Sequence, residues 1–252
     1  MDLAGSLIAV TGGASGLGCA TAEALAAAGA VVAVLDRDGD GAARVAQAIG
    51  GVAEAVDVTD EAAGDALDRV TKVAGPLRGL VNCAGIGTAA RIAGRDGPMP
   101  LDAFERVVRV NLIGTFNMMR LAAVRMSTTE PMADGGRGAI VNTASVAAFD
   151  GQIGQSAYAA SKGGIVALAL PAARELARFG IRVNTVAPGI FETPLLGELP
   201  DEVREGIAAS IPCPPRLGRP EEFAETVLWA LRTDYLNAEV IRLDGGVRLP
   251  PK

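Results

Sequence analysis

Short β-branched runs alternate with amphipathic stretches from one end of this chain to the other. "LIAVTG" (7–12), "AVVAVLDR" (30–37), "GVAEAVDVTD" (51–60) and "LRGLVNCAG" (77–85) read as strands in the first third. "GAIVNTAS" (138–145), "IRVNTVAPG" (181–189) and "EVIRLDGG" (239–246) read the same way later on. Between them, residues 16–29, 40–50, 61–75, 101–126, 155–180 and 220–233 carry helical patterns. A strand that is apolar throughout must be covered on both sides, and a helix between successive strands makes them parallel. The pattern predicts an α/β fold. About seven strands form one doubly wound parallel sheet with helices on both faces, and 1–252 is a single domain.

Composition removes several classes of function. The chain has no histidine, which excludes a Ser-His-Asp triad, a Cys-His pair and a His-ligated zinc. Any general base must therefore be Asp, Glu, Lys, Tyr or Cys. The three cysteines, Cys19, Cys83 and Cys213, are widely spaced and suit neither a disulfide framework nor a cysteine metal site. The net charge of −6, without a basic cluster, argues against nucleic acid as a partner. The N-terminus shows no basic segment leading into a long apolar one, and no apolar run reaches bilayer length. A cytoplasmic protein with no membrane partner is expected.

The first strand runs into "TGGASGLG" (11–18), with Gly12, Gly16 and Gly18 ahead of a helix. Small residues there let the backbone approach a diphosphate, while the helix N-terminus offers N–H donors and positive dipole. A glycine run alone is weak evidence; strand before and helix after are the context that gives it meaning. The expectation is a Rossmann-type dinucleotide site. Asp36 ends the second strand, where a carboxylate accepts both ribose hydroxyls and repels a 2′-phosphate. NAD is therefore the expected cofactor, with Arg37 next door as the one softening feature. Asp57 and Val58 close the third strand and "NCAG" (82–85) the fourth, at the edge where ligands lie in such a sheet. Asp57 also suits plain turn chemistry.

Tyr158 and Lys162 stand four apart on the helix predicted over 155–180, so they share a face. Ser145 ends the preceding strand at the same edge. A tyrosine is a poor base at its ordinary pKa of about 10. A neighbouring ammonium and a cationic nicotinamide favour the phenolate and lower that value. The pair is a candidate acid/base for an alcohol proton; the same spacing also fits a packing tyrosine beside a solvated lysine. Two segments break the rhythm: 86–100, rich in Gly and Pro, and the proline-rich 190–219. Each is either a substrate-facing lid or an ordinary surface loop. Arg91 and Arg95 in the first are either solvated or placed to meet phosphates.

Taken together, "TGGASGLG", "NCAG", "NLIGTF", the Ser145 strand end, Tyr158-x-x-x-Lys162 and "APG" (187–189) resemble the short-chain dehydrogenase/reductase family over essentially the whole chain. "NTASVAAFDGQIGQSAYAASKGGIVALALPAARELARFGIRV", "FETPLL" and "EVIRLDGG" are similar to its type 2 3-hydroxyacyl-CoA dehydrogenase branch, which is also described as acting on 17-beta-hydroxysteroids. The resemblance implies an NAD-dependent oxidoreductase acting on a secondary alcohol, most simply a 3-hydroxyacyl-CoA. It implies a tetrad of Asn111, Ser145, Tyr158 and Lys162. Tyr158 would be the acid/base, Lys162 would lower its pKa and bind the nicotinamide ribose, Ser145 would bond the substrate oxygen, and Asn111 would hold a relay water. By the same carry-over Gly12, Ser15, Gly16, Leu17, Gly18, Asp36, Asp57, Val58, Asn82, Cys83, Ala84, Gly85, Pro188, Gly189, Phe191 and Thr193 line the dinucleotide. The family's habit implies a homotetramer. Hydroxysteroid oxidation on the same tetrad, and a non-catalytic NAD-binding scaffold, are the competing readings. "NCAG" departs from the family's usual N-N-A-G, so Cys83 contributes through its backbone or as a small buried hydrophobe. Pro171 is expected to kink its helix.

Overall fold

Each apolar run becomes a strand and each intervening stretch a helix, in the order the sequence sets. The computed structural model describes residues 1–95, 97–193 and 201–251. The first part comprises β1 (Leu7–Thr11), α1 (Gly16–Ala27), β2 (Val31–Asp36), α2 (Gly39–Ile49), β3 (Val52–Ala55), α3 (Ala63–Ala74) and β4 (Leu77–Asn82). A short hairpin, β5 (Ala93–Gly94) with β6 (Gly97–Pro98), precedes α4 (Leu101–Val108) and α5 (Gly114–Ser127). Then come β7 (Gly138–Thr143), α6 (Ser156–Leu176), β8 (Ile181–Pro188), α7 (Asp201–Ala209), α8 (Pro220–Arg232) and β9 (Val240–Leu243).

The main sheet has seven strands, all parallel, in the order β3-β2-β1-β4-β7-β8-β9. The chain winds one way from β1 to β3, then returns beside β1 and winds the other way. The carboxyl ends of β1 and β4, paired at Thr11 and Asn82, therefore mark the switch point where ligands bind in open sheets. β1 shows why its run is wholly apolar. Leu7 and Ala9 enter one core layer with α3 and α5, and Ile8 and Val10 enter the other with α1 and α8. Both sets are fully buried, and each large aliphatic side chain contributes about 1.5–3 kcal/mol on burial.

Several expectations are corrected. The third strand was expected over 51–60 but stops at Ala55, because Asp57 folds back to accept from the Thr59 N–H at 2.9 Å. Asp57 and Val58 thus follow the strand rather than close it. The helix expected over 101–126 is interrupted by one π turn, Arg109–Ile113, with Asn111 inside it. The interval 190–219 needs no correction: read as having only short helical possibilities, it holds a short helix, the nine-residue α7. Residues 194–200 of that interval lie outside the described residues. α6 remains one helix across Pro171. Leu101–Ser127 is long and apolar enough to cross a bilayer by length and composition, against expectation; half of that window is buried in this fold.

Candidate active site

The glycine turn is held against the end of β4 by backbone contact. Gly12 and Gly16 take the left-handed region, with φ of 66° and 53°. A Cβ on Gly12 would lie 2.7 Å from the Ala84 nitrogen, and one on Gly18 would overlap the Gly12 carbonyl oxygen. Ser15 precedes α1 in extended conformation and its side chain does not cap the helix. The first-turn N–H groups of α1 are thus left for a ligand. Leu17 packs its side chain on the core layer beneath α1, so only its main chain faces the turn. Asp36 stitches this turn to β2: its two carboxylate oxygens accept from the Ala14 and Asp38 N–H groups, each at 3.0 Å. Oxygen lone pairs remain for a diol.

The "NCAG" stretch does two different jobs. Asn82 is buried, donating to Asn142 Oδ1 at 2.9 Å and accepting from Thr11 Oγ1 at 3.4 Å. It ties three strand ends together rather than facing a ligand. Cys83 accepts from Thr143 Oγ1 at 3.6 Å, and burial pushes its thiol up to about 11. Ala84 donates its N–H to Thr11 Oγ1 at 3.3 Å. At Gly85 a Cβ would stand 3.2 Å from Asn111 Oδ1 and 3.6 Å from Lys162 Nζ. Glycine here lets the cofactor edge meet the catalytic face directly. Asp57 Oδ1 takes both the N–H and the hydroxyl of Thr59, and the N–H bond is the main reason its pKa lies below the usual value. Turn chemistry therefore occupies one of its oxygens. The Val58 carbonyl accepts from Asn117 at 2.9 Å, and its side chain packs on Gly114.

Ser145, Tyr158 and Lys162, on the turn and helix that follow β7, converge with Asn111 from the π turn ahead of α5 at the carboxyl end of β7. Lys162 is 5 % exposed; its ammonium donates to the Thr143 carbonyl at 2.7 Å and lies 5.8 Å from the centre of the Tyr158 ring. Burial lowers its pKa to about 8. Tyr158 feels the opposing pull of desolvation. Burial raises its pKa above the ordinary value and the hydrogen bond with Ser145 opposes this. The Lys162 ammonium, 5.8 Å from the ring centre, is close enough to oppose this once the phenolate forms, although its own hydrogen bond goes to the Thr143 carbonyl. Ser145 Oγ accepts from the Ala147 N–H at 3.1 Å, which leaves the hydroxyl proton to donate. Asn111 commits both amide protons, to the Ile86 carbonyl and to Ser161 Oγ at 3.0 Å each. Its Oδ1 accepts from the Ile86 N–H at 2.8 Å. Ser161 in turn donates to the Tyr158 carbonyl at 2.7 Å. Thr143 and Ser161 are members of this cluster that sequence reasoning missed; their only signal was adjacency to Ser145 and Lys162.

The last predicted contacts divide. Pro188 and Gly189 end β8, and a Cβ on Gly189 would press on Asp244 Cβ at 2.8 Å. The Phe191 ring is buried edge-on to Phe223, 6.3 Å between centroids, so contact with a dinucleotide would fall to its backbone. Thr193 lines an open cleft of about 750 Å³, together with Gly16, Arg204, Glu205 and Arg216. This cleft lies beside the glycine turn, not over Tyr158.

The family model described as short chain dehydrogenase matches residues 6–204. The chain is 48% identical to the 3-hydroxyacyl-CoA dehydrogenase type-2 of Bos taurus, over 98% of this chain and 97% of that protein. Its human counterpart is equally similar, with 48% identity and the same coverage. The solved structure of 3-hydroxyacyl-CoA dehydrogenase type-2 from Mycobacterium avium superposes with a TM-score of 0.93 at 42% identity, covering 98% of this chain and 97% of that one. A 7 alpha-hydroxysteroid dehydrogenase solved with NADH superposes with a TM-score of 0.87 at 30% identity, covering 98% and 96%. A glycine turn at the switch point, a half-buried tyrosine with a buried lysine beside it and these full-length likenesses agree: the chain belongs to the short-chain dehydrogenase family, enzymes that use a nicotinamide cofactor.

Proposed function

We propose that this protein is an NAD-dependent dehydrogenase that interconverts a 3-hydroxyacyl-CoA and the 3-ketoacyl-CoA. The observation that carries the chemistry is the convergence of Tyr158, Ser145 and Lys162 on one buried edge, next to Gly85. The full-length likeness to proteins named type-2 3-hydroxyacyl-CoA dehydrogenase supports the substrate. Asp36 supports NAD over NADP, because its carboxylate ends β2 and would repel a 2′-phosphate.

The residues fit the dinucleotide: the Gly12–Gly18 turn leaves no room for side chains against a diphosphate, and Asp36 keeps acceptors for the ribose. When bound, that group supplies the hydride acceptor. Ser145 donates to the substrate oxygen. Tyr158 gives its phenol proton to that oxygen in ketone reduction; in alcohol oxidation the phenolate form takes the proton back and becomes the phenol. Lys162 lies close enough to favour the phenolate once it forms. Asn111 keeps one Oδ1 lone pair beyond its bond to Ile86, the acceptor a relay water needs, and its remaining bonds hold the π turn against α6.

Adding acetoacetyl-CoA to protein and NADH should consume NADH absorbance, and Tyr158→Phe should lower turnover by about 10²–10⁴-fold while NADH still binds. Near-native turnover in that variant would overturn the mechanism; turnover of hydroxysteroids but not acyl-CoAs would move the substrate to the competing reading. Arg91 and Arg95 are proposed to meet the CoA phosphates. An Arg91→Ala/Arg95→Ala protein that keeps its preference for acyl-CoA over a pantetheine thioester would refute that. The 190–219 interval is proposed as the substrate loop and the cytoplasm as the location. A homotetramer is also proposed, supported by the exposed Ile113, Phe116 and Val124 around α5. A monomer mass in light scattering would refute the tetramer.

A further inference from the structure

Between Ser145 and Tyr158 the chain makes a short 3-10 turn, Val146–Ala148, and then a loop over 149–155 that delivers it into α6. The loop sets where Tyr158 stands. A Cβ on Gly151 would lie 3.2 Å from Ala159 Cβ, one residue past the tyrosine. The Gln155 carbonyl accepts from the Ala159 N–H at 2.7 Å. The loop has little apolar anchorage of its own: Phe149 and Ile153 are 47% and 52% exposed. Something distant must hold it.

The loop's far end is tied by the Ile153 N–H to the Pro251 carbonyl at 3.1 Å, by Gln152 to the Pro250 carbonyl at 3.1 Å and by the Ala90 N–H to the Gly154 carbonyl at 2.9 Å. Its near end, at Phe149 and Asp150, is held by Arg242 in β9. Its guanidinium donates to Asp150 at 2.6 Å, to Asp244 at 2.8 Å and to the Val247 carbonyl at 3.3 Å, and lies 5.0 Å from the centre of the Phe149 ring. Asp150 and Asp244 are only 20% and 9% exposed at their side chains, so these are partly desolvated, charge-assisted bonds. The two carboxylates are not equivalent. Asp244 has further support, accepting from the Gly246 N–H at 2.9 Å and from Arg248 at 3.1 Å. Among the described residues Arg242 is the one ion-pair partner of Asp150. Loss of the arginine would leave Asp244, which rests on Gly189 at the cofactor edge, still tied down, and would free the Phe149–Asp150 end of the loop before Tyr158.

We propose that Arg242 is a positioning residue for the substrate side of the site: through Asp150 and Phe149 it fixes the 149–155 loop, and with it the spacing of Ser145 and Tyr158, without acting on cofactor binding. It rests on the proposed function only for the choice of substrate. The test compares Arg242→Gln, Asp150→Asn and the double variant with the unaltered full-length enzyme. In each, KM for acetoacetyl-CoA should rise by about fivefold or more with NADH Kd within about twofold, and the double variant should be no worse than the worse single one. Hydrogen exchange should quicken in 149–155 and stay unchanged in 16–27. Arg242→Lys should recover little, since one ammonium cannot bridge two carboxylates and cover the Phe149 ring together. A lowered Tm with native KM and native exchange in 149–155 would reduce Arg242 to a stabilising residue and overturn the proposal. So would equal weakening of NADH, or strictly additive effects. If Arg242→Gln does not fold, Asp150→Asn, altered on the loop side alone, decides by the same readouts. Failure of the unaltered enzyme to reduce acetoacetyl-CoA would refute the proposed substrate, whereas exchange in 149–155 tests the arginine with no substrate present.

Discussion

The two sides of the active edge are built on different principles. On the cofactor side, Gly12, Gly18 and Gly85 bring main chain within contact distance of main chain or of Asn111, and little depends on side chains from afar. On the substrate side, the loop before Tyr158 is held by Arg242, 92 residues away, and by the Pro250 carbonyl, which accepts from Gln152 at 3.1 Å across 98 residues. The first construction tolerates no added atoms but needs no distant partner. The second tolerates change in size but depends on segments that meet only when the sheet is complete. Rigid backbone cradles suit a cofactor common to many enzymes; side-chain clasps suit a pocket that must differ between them.

The largest effect should come from adding one methyl group to the cradle. Gly18→Ala would force its Cβ into the Gly12 carbonyl, so NADH binding should be lost and stability should fall by about 1–3 kcal/mol, read by fluorescence titration and urea unfolding. Retained NADH affinity would break the picture of a closed backbone cradle. Next in size is Lys162, where the two sides meet. Its folded pKa of about 8 lies below its ordinary 10.5, so folding releases its proton between those values. Its contribution is fully present above about 10.5 and is lost as pH falls through about 8. The stability of the unaltered protein relative to Lys162→Met should therefore rise by up to ~3 kcal/mol from pH 7 to 10.5, at ~1.4 kcal/mol per pKa unit. A flat difference in urea unfolding across that range would show that the ammonium is not desolvated. The smallest effect is expected at Cys83. With its thiol pushed up to about 11, it should resist Ellman's reagent at pH 8 while the exposed Cys213 reacts, and Cys83→Ala should cost under about 1.5 kcal/mol and leave NADH Kd unchanged. Rapid labelling of Cys83 would show that the cradle opens to solvent.

Those two constructions also explain which features were legible. The strand and helix order followed from wholly apolar runs, because a strand buried on both faces has no alternative pattern. The glycine turn, Asp36, and the Tyr158 and Lys162 pair were visible because each acts through neighbours within one turn or one strand end. Asp57 was ambiguous in the sequence and is committed to Thr59 in the fold. For Tyr158 the sequence placed the lysine nearby but did not show the burial that raises its pKa, since spacing reveals which groups are near but not how much water each has lost. The π turn at Asn111 had no periodicity to betray it.

Residue order alone was enough for the parallel sheet, its switch point, the glycine cradle and the shared face of Tyr158 and Lys162, which rest on local periodicity and local backbone freedom; the tetrad as a set came from the family resemblance. Tertiary structure alone decided that Lys162 donates a hydrogen bond to the Thr143 carbonyl, that Asn111 locks Ile86 to Ser161, that the Phe191 ring turns into the core, and that Arg242 reaches Asp150. Each of these depends on desolvation or on a bond between elements far apart in the chain, and neither quantity exists until the sheet has closed around them.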